Sequence, residues 1–204
     1  MEFEFKGNAI VFNRELSDLD NVVIRFVRLL EKNGVDYVII SGYIAILFGR
    51  SRNTEDVDMF LQEMDFEEFN PWWNSLVKNG FECLNAFNAD EAYHEFLKRG
   101  TALRFAEKGG VIPNFEVKFP LYPHNRYALQ HKLVVMLNGN PINTSELEMQ
   151  IAFKLKLGSD KDFEDARHLY NVFKEHLNHG LLARHVNELK VEKAAESILW
   201  KRKG

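Results

Sequence analysis

Two aspartates separated by one residue, Asp56 and Asp58, open the run Asp-Val-Asp-Met-Phe-Leu, which reads as a β-strand over residues 56–61. On a strand both carboxylates leave one face while Val57 points to the other, toward a core. Neighbouring carboxylates repel each other unless a cation lies between them. Their hard oxygens select Mg²⁺ or Mn²⁺, ions that complete their shells with water and substrate phosphates. That is the arrangement used in two-metal phosphoryl transfer. The spacing alone is weak, because Glu55, Asp56 and Asp58 also suit a solvated strand edge.

The residues upstream change the weighing. Residues 35–40 form a nearly continuous apolar run, the pattern of a strand buried on both faces. Ser41-Gly42 follows, then a short apolar helix over residues 43–48 closed by Gly49, then the polar loop Arg50-Ser51-Arg52-Asn53-Thr54-Glu55. A helix start offers free N–H groups and partial positive charge to a triphosphate. Gly42 permits close approach of backbone to phosphate, and Ser41 offers a hydroxyl donor. Arg50 and Arg52 carry planar forks for phosphate oxygens, or for shielding the carboxylates. Each feature is ordinary; the ordered combination is uncommon.

The elements that must hold these residues follow from pattern. Residues 3–5 and 9–12 flank Lys6-Gly7-Asn8 as a hairpin, and Ser17 caps an amphipathic helix ended by Asn33-Gly34. A helix is expected over 65–78, irregular near Pro71 with Trp72 and Trp73 as packing residues. A short strand over 81–84 and a helix over 89–98, stopped by Gly100, come next. Strands over 101–106 and 114–119 are joined through Gly109-Gly110, and a hairpin spans 133–143 around Asn138-Gly139-Asn140. From Ser145 onward the pattern is helical, with capping boxes expected at Ser145/Glu148 and Ser159/Asp162. The chain thus divides into a catalytic α/β part, residues 1–144, and a helical part, residues 145–204, that packs on the cleft.

Composition bounds the rest. The 204 residues are 46% hydrophobic and 27% charged, with 17 phenylalanines, which fits a well-filled globular core. The lone Cys83 leaves no disulfide framework or thiolate zinc site, and suits a reducing cytoplasm. No apolar run approaches the ~20 residues of a membrane span, and the acidic, alternating N-terminus is unlike a signal peptide. A net charge of −4 implies no broad grip on nucleic acid, although a local basic groove for one RNA end is compatible with it. His176 and His179 are three apart, as solvated helix or cap residues often are. The basic tail Lys201-Arg202-Lys203 reads as frayed.

The segment from Ile40 to Asp58 resembles the nucleotidyltransferase superfamily, built on the DNA polymerase beta-like core, with its hydrophobic-Gly-[Gly/Ser]…Asp-x-Asp signature. It is closer to the minimal members grouped with the AbiEii and MenT toxins, whose loop reads Gly-x-x-Arg-x-Thr-x-Asp-x-Asp. Ser41 stands where many relatives have the first glycine. The resemblance covers roughly residues 35–173 in three ordered blocks. It implies an α+β fold: a nucleotidyltransferase-like mixed sheet flanked by helices, with a C-terminal helical bundle. It implies a third metal-binding carboxylate, for which Glu116 in Phe115-Glu116-Val117 is the candidate, longer than the usual aspartate. Lys118 shares the face of Glu116, to pair with it or reach a phosphate. Arg50, Arg52 and Thr54, with Ser41 and Gly42, would contact the nucleotide.

Farther along, residues 148–157 read as a well-buried helix, and Lys161 and Asp165 sit four apart on the next. Spacing alone makes that pair a surface ion pair of ~0.3–0.5 kcal/mol. AbiEii-like transferases carry a Lys-Leu helix and then a Lys-Asp-x-x-Asp helix. By that likeness Lys154 and Lys161 hold the triphosphate, and Asp165 orients the acceptor or Lys161. The implied reaction moves a nucleoside monophosphate from ATP, CTP, GTP or UTP, with Mg²⁺ or Mn²⁺, to an acceptor hydroxyl. The acceptor would be a tRNA 3′ end, a protein or a small molecule, and the likeness brings a partner antitoxin with it. Two rivals share these residues: a nucleotide-binding domain without turnover, and a metal-dependent phosphohydrolase.

Overall fold

The computed structural model describes residues 2–200; the basic tail lies outside them. A hairpin of β1 (Glu4–Lys6) and β2 (Ala9–Phe12) leads into α1 (Asp18–Lys32). Ser17 and Asp20 form the capping box of α1, each satisfying the other's backbone N–H. Then come β3 (Tyr37–Ile39), α2 (Gly42–Leu47), β4 (Asp56–Leu61), α3 (Phe66–Lys78) and β5 (Phe81–Cys83). After a short α4 (Ala89–Glu91) follow β6 (Leu103–Glu107), β7 (Asn114–Lys118), α5 (Pro123–Gln130), β8 (Lys132–Leu137) and β9 (Asn140–Ser145). The chain continues with α6 (Leu147–Leu157), α7 (Asp160–Phe173), α8 (His179–Glu188) and α9 (Glu192–Ile198).

The strands form one mixed sheet in the order β1-β2-β8-β9-β3-β4-β7-β6-β5. Its two faces are separated by the period of two. In β4, Val57, Met59 and Leu61 enter the main core with α1 and α3, where Phe26 stacks on Phe115 with centroids 3.9 Å apart. Phe60 goes to the opposite face and packs with Val38 under Ala128 of α5. Asp56 and Asp58 share that second face beyond the cover of α5. Toward the C-terminus, α6 packs against α7 and α8, and α9 touches all three. Their apolar residues, Ile151, Leu155, Phe173 and Leu182 among them, continue the same core as the sheet. No helix among the described residues is long and apolar enough to cross a membrane.

Several expectations need correction. Ser145 ends β9 and does not cap α6. The N-cap is Glu146, the Ser145 hydroxyl goes to Gln150, and the Glu148 carboxylate accepts the N–H of Asn178 at 2.6 Å. A partner farther along α6 for Ser145 and a tertiary partner for Glu148 displace the local box. At the second site Ser159 does cap α7, its Oγ accepting the N–H of Asp162. The helix expected over 89–98 is one α-turn, a π-helical turn (Ala92–Phe96) and a 3₁₀ turn (Leu97–Arg99), ending at left-handed Gly100. The helix α5 had no strong sequence pattern, and α3 stays continuous through Pro71. Trp72 and Trp73 are both buried, as packing residues should be.

One polar knot in this fold bears on the site. Asp20 is fully buried and accepts hydrogen bonds from Arg14 at 2.6 and 2.8 Å and from the Tyr43 hydroxyl of α2 at 2.9 Å. Burial pushes its carboxyl pKa up, but hydrogen bonds from Arg14, Ser17 and Tyr43 outweigh it and leave it below the ordinary 3.8. A depressed carboxyl contributes stability above the unfolded value, and that stability is lost as pH falls through the folded value. Urea unfolding of Asp20→Asn is therefore expected to show lower stability at pH 7. Its decline below about pH 4 should also be shallower than in the parent chain; an equal acid slope would count against this account.

Candidate active site

The parallel pairing of β4 with β7 aligns Asp56 with Asn114, Asp58 with Glu116 and Phe60 with Lys118. In parallel strands such partners project to the same face. The antiparallel pairing of β6 with β7 adds Arg104 opposite Glu116. The result is one row across three strands, Asp58, Glu116 and Arg104, with Asp56 beside it. Arg104 donates to the Glu116 carboxylate, so Glu116 is engaged sideways. Among the described residues no three His, Cys, Asp or Glu side chains already close on a point as a metal cage would.

Asp58 carries the electrostatic signature of the site. Its carboxyl pKa is raised, first by burial and then by the charges of Asp56 and Glu116, against the opposing pull of Lys118 and the Ser41 hydroxyl. Asp56 accepts a hydrogen bond from the Thr54 hydroxyl at 3.3 Å, and the same hydroxyl reaches the Asp56 carbonyl at 3.0 Å. Across from Asp56, Asn114 gives its amide N–H to the Glu55 carbonyl, while its buried Oδ1 has no partner. An unsatisfied oxygen on the residue paired with Asp56 is the kind of hard ligand that a divalent cation, or a water it carries, would complete.

At the end of the row where β4 begins, Ser41 adopts φ 65° and ψ −134°, a conformation that disfavours any residue with a Cβ. Gln150 of α6 holds it there: its Nε2 donates to the Ser41 carbonyl at 2.8 Å, and its Oε1 accepts the Ser41 N–H at 3.1 Å. Gly42 is needed for another reason. A Cβ there would lie 2.2 Å from Arg52 Nη2 and 3.3 Å from Thr54 Oγ1, so the loop over residues 50–54 folds directly onto the start of α2.

That loop is anchored by α7. Asp165 is fully buried and takes Arg50, Arg52 at 3.2 Å and Lys154 at 3.0 Å. Lys154 also donates to Asp162 at 2.7 Å, and Arg50 also pairs with Glu164. Lys161 and Asp165 do not pair. The Lys161 side chain is exposed, and with Thr54 and Asp56 it lines an open depression of about 300 Å³. The structure thus brings Thr54, Asp56 and Lys161 to one opening, sets Asp58 beside Glu116 on the neighbouring strand, and places Arg50, Arg52, Lys154 and Asp165 in the ion-pair cluster that anchors the loop. Sequence reading missed Gln150 and Arg104. The first was visible as an uncharged polar residue in an apolar helix; the second required the strand register.

Neither a family model nor a curated protein sequence matches the chain. Solved structures do. An antigenic nucleotidyltransferase-like protein from Paracoccidioides brasiliensis is 20% identical, with TM-score 0.56 over 91% of this chain and 93% of that one. The antibiotic-resistance factor ANT(2″)-Ia in solution is 12% identical, with TM-score 0.55 over 89% of this chain and 97% of that one. The same factor in complex with adenylyl-2″-tobramycin is 10% identical, with TM-score 0.55 over 84% and 99%. The fold is therefore similar to that of nucleotidyltransferases, over nearly the whole of both chains.

A raised carboxyl pKa has the opposite linkage to that of Asp20. Above its folded value, ionised Asp58 costs stability; the cost fades as pH falls through that value. Thermal unfolding without divalent cations is expected to show Asp58→Asn more stable than the parent at pH 7, the gap narrowing on acidification. A variant that melts at or below the parent at pH 7 would contradict this.

Proposed function

We propose that the chain is a metal-dependent nucleotidyltransferase that moves a nucleoside monophosphate from an NTP to an acceptor hydroxyl. The observation that carries the reading is the register that sets Asp58 beside Glu116 and Asp56 beside Asn114, whose buried Oδ1 has no partner, on the sheet face opposite the main core. Asp56 and Asp58 would hold Mg²⁺ or Mn²⁺, with Glu116 as third ligand, and the metal supplies neutralisation of phosphate charge and a more acidic acceptor hydroxyl. The chain's own groups do the positioning. Ser41, Gly42, Thr54 and Lys161 receive the triphosphate, and Arg52 reaches it from above Gly42. Arg50, Lys154 and Asp165 hold that loop in place, so Asp165 acts through the cations around it. The helices after residue 145 would form the second wall of the cleft, against the catalytic part before it.

The finer placement, next to the AbiEii and MenT toxins, is supported by the loop from Gly49 to Asp58 and by the Lys161/Asp165 spacing. With it come a tRNA 3′ end or a protein as acceptor and a partner antitoxin. The complex of ANT(2″)-Ia with adenylyl-2″-tobramycin supports nucleotide transfer as the chemistry this fold can host.

Incubation with each α-³²P-labelled NTP, Mg²⁺ and total RNA or protein extract tests the reading. Label is expected on a macromolecule, and Asp56→Ala or Asp58→Ala is expected to reduce it about 1,000-fold, the loss of several kcal/mol of charge stabilisation. Release of inorganic phosphate without labelling would make the chain a phosphohydrolase; NTP binding with neither outcome would make it a passive binder. Either result would overturn transfer.

A further inference from the structure

We propose that Gln150 is a positioning residue of the metal and nucleotide site: from α6 it holds Ser41 in a backbone conformation that glycine alone adopts freely, and so sets the turn that faces Asp58. The proposal rests on the transferase reading for what the acids bind, and deepens it by assigning a residue behind them.

Conformation comes first. At φ 65° and ψ −134° a Cβ is crowded by the backbone, so Ser41 left to itself would relax to negative φ. Such a conformation persists only where the surroundings over-determine it. Gln150 does so with one side chain. Its Nε2 donates to the Ser41 carbonyl at 2.8 Å and its Oε1 accepts the Ser41 N–H at 3.1 Å, which fixes both peptide planes that meet at the Ser41 Cα. The Ser145 hydroxyl donates to the same Oε1 at 3.2 Å and so opposes a flip of the amide. A buried polar side chain beside Ile151 and Ala152 is costly unless hydrogen-bonded, and these are the bonds that offset it. Few side chains could replace it. Methionine has no amide, glutamate has no donor for the carbonyl, and asparagine is one methylene short.

The consequence reaches the acids. β3 and β4 pair antiparallel with Ile39 opposite Met59, and the Ile40 N–H donates to the Asp58 carbonyl at 2.9 Å. Ser41 is therefore the next residue after the one bound to Asp58. The Asp58 carboxyl, raised chiefly by burial, is drawn back toward its ionised form by the Ser41 hydroxyl among other groups. Return of Ser41 to an ordinary φ would re-aim that hydroxyl and the start of α2 together. Four residues along the same face of α6, Lys154 grips Asp165, whose partner Arg52 lies against Gly42. One face of one helix thus holds both residues of the turn, Ser41 directly and Gly42 through Asp165 and Arg52.

Titration of the full chain with Mn²⁺ alone, followed by the EPR signal of the free ion, tests this. Gln150→Met, which keeps the length of the side chain without its amide, is expected to weaken Mn²⁺ binding about 10- to 100-fold, the range for a group that orients a metal ligand. Ser41→Gly removes the backbone cost that Gln150 opposes. Gln150→Met added to Ser41→Gly should therefore weaken binding about tenfold less than Gln150→Met added to the parent. Leu76→Val, a truncation in the core under α3, should lower the melting temperature and leave Mn²⁺ binding as it is. If Gln150→Met does not fold, Gln150→Asn, whose amide falls short of Ser41, takes its place. The proposal is overturned if the Gln150 variants bind Mn²⁺ as the parent does, or if Leu76→Val weakens binding as much as they do. It is equally overturned if Ser41→Gly leaves the penalty of Gln150→Met undiminished, since Gln150 would then act by another route. A parent that binds no Mn²⁺ overturns it together with the metal site. A parent that binds Mn²⁺ in the expected pattern but transfers no nucleotide sinks the transferase reading alone.

Discussion

The site depends on a buried cluster in which three cations surround one carboxylate. Asp165 has no exposure to solvent, and Arg50, Arg52 and Lys154 converge on it from a loop and a neighbouring helix. Burying such a group is costly unless its charge is answered on every side, and removing one member typically costs about 3–5 kcal/mol because the remainder is stranded. The cluster is therefore close to all-or-none. That property is useful here, because its members come from different parts of the chain: Arg50 and Arg52 from the segment just before β4, Lys154 from α6, Asp165 from α7. Fixing Arg52 fixes the loop over Gly42, and that loop leads through Thr54 into Asp56. The C-terminal helices thus set where the first catalytic carboxylate begins.

A second constraint works against stability. Ser41 sits in a backbone conformation that a Cβ disfavours, at a cost of about 1–3 kcal/mol. It persists because Gln150 grips both its N–H and its carbonyl from α6. Asp58 is similarly held against preference, buried beside Asp56 and Glu116. Strain and like-charge repulsion sit at adjacent positions on β4 and at the end of β3, while the surrounding core of Phe26, Trp72 and Phe115 is closely packed. Unfavourable features gathered at one opening are characteristic of a site kept for binding, since a structural residue would gain from relaxing them.

Much of this was legible in the sequence because it is local. The strand over 56–61, the Ser41-Gly42 turn, the cap at Ser17 and the buried helix over 148–157 each follow from periodicity or from one residue's hydrogen-bonding capacity. What stayed hidden is non-local. The spacing of Lys161 and Asp165 suggested a pair on one helix face, but Asp165 turns inward to Lys154 of α6 and to Arg50 and Arg52, more than a hundred residues earlier, and no helical pattern encodes that. Arg104 became visible as the partner of Glu116 only once β6 and β7 were in register. Ser145 and Glu148 had the form of a capping box and lost it, Ser145 to Gln150 five residues on and Glu148 to Asn178, which is near only in the folded chain. Local signals placed the acids; the fold decided what faces them.

The way the sheet is covered explains why a groove opens beside the carboxylates. A mixed sheet needs both faces covered wherever its strands are apolar on both sides. The face opposite the main core is roofed by α5 only at Val38 and Phe60, through Ala128. Asp58 and Glu116 are half-buried, and neither is among the residues that α5 packs on. The cover given by Ala128 therefore falls at Phe60, two residues past Asp58 on the same face. Aromatic side chains gather there because they must cover Phe60 from one side while meeting water from the other. An aromatic groove beside an acidic site is thus a geometric result of alternation in β4: the period that turns Val57 and Met59 inward sets Asp56, Asp58 and Phe60 in line on the face where chemistry can occur.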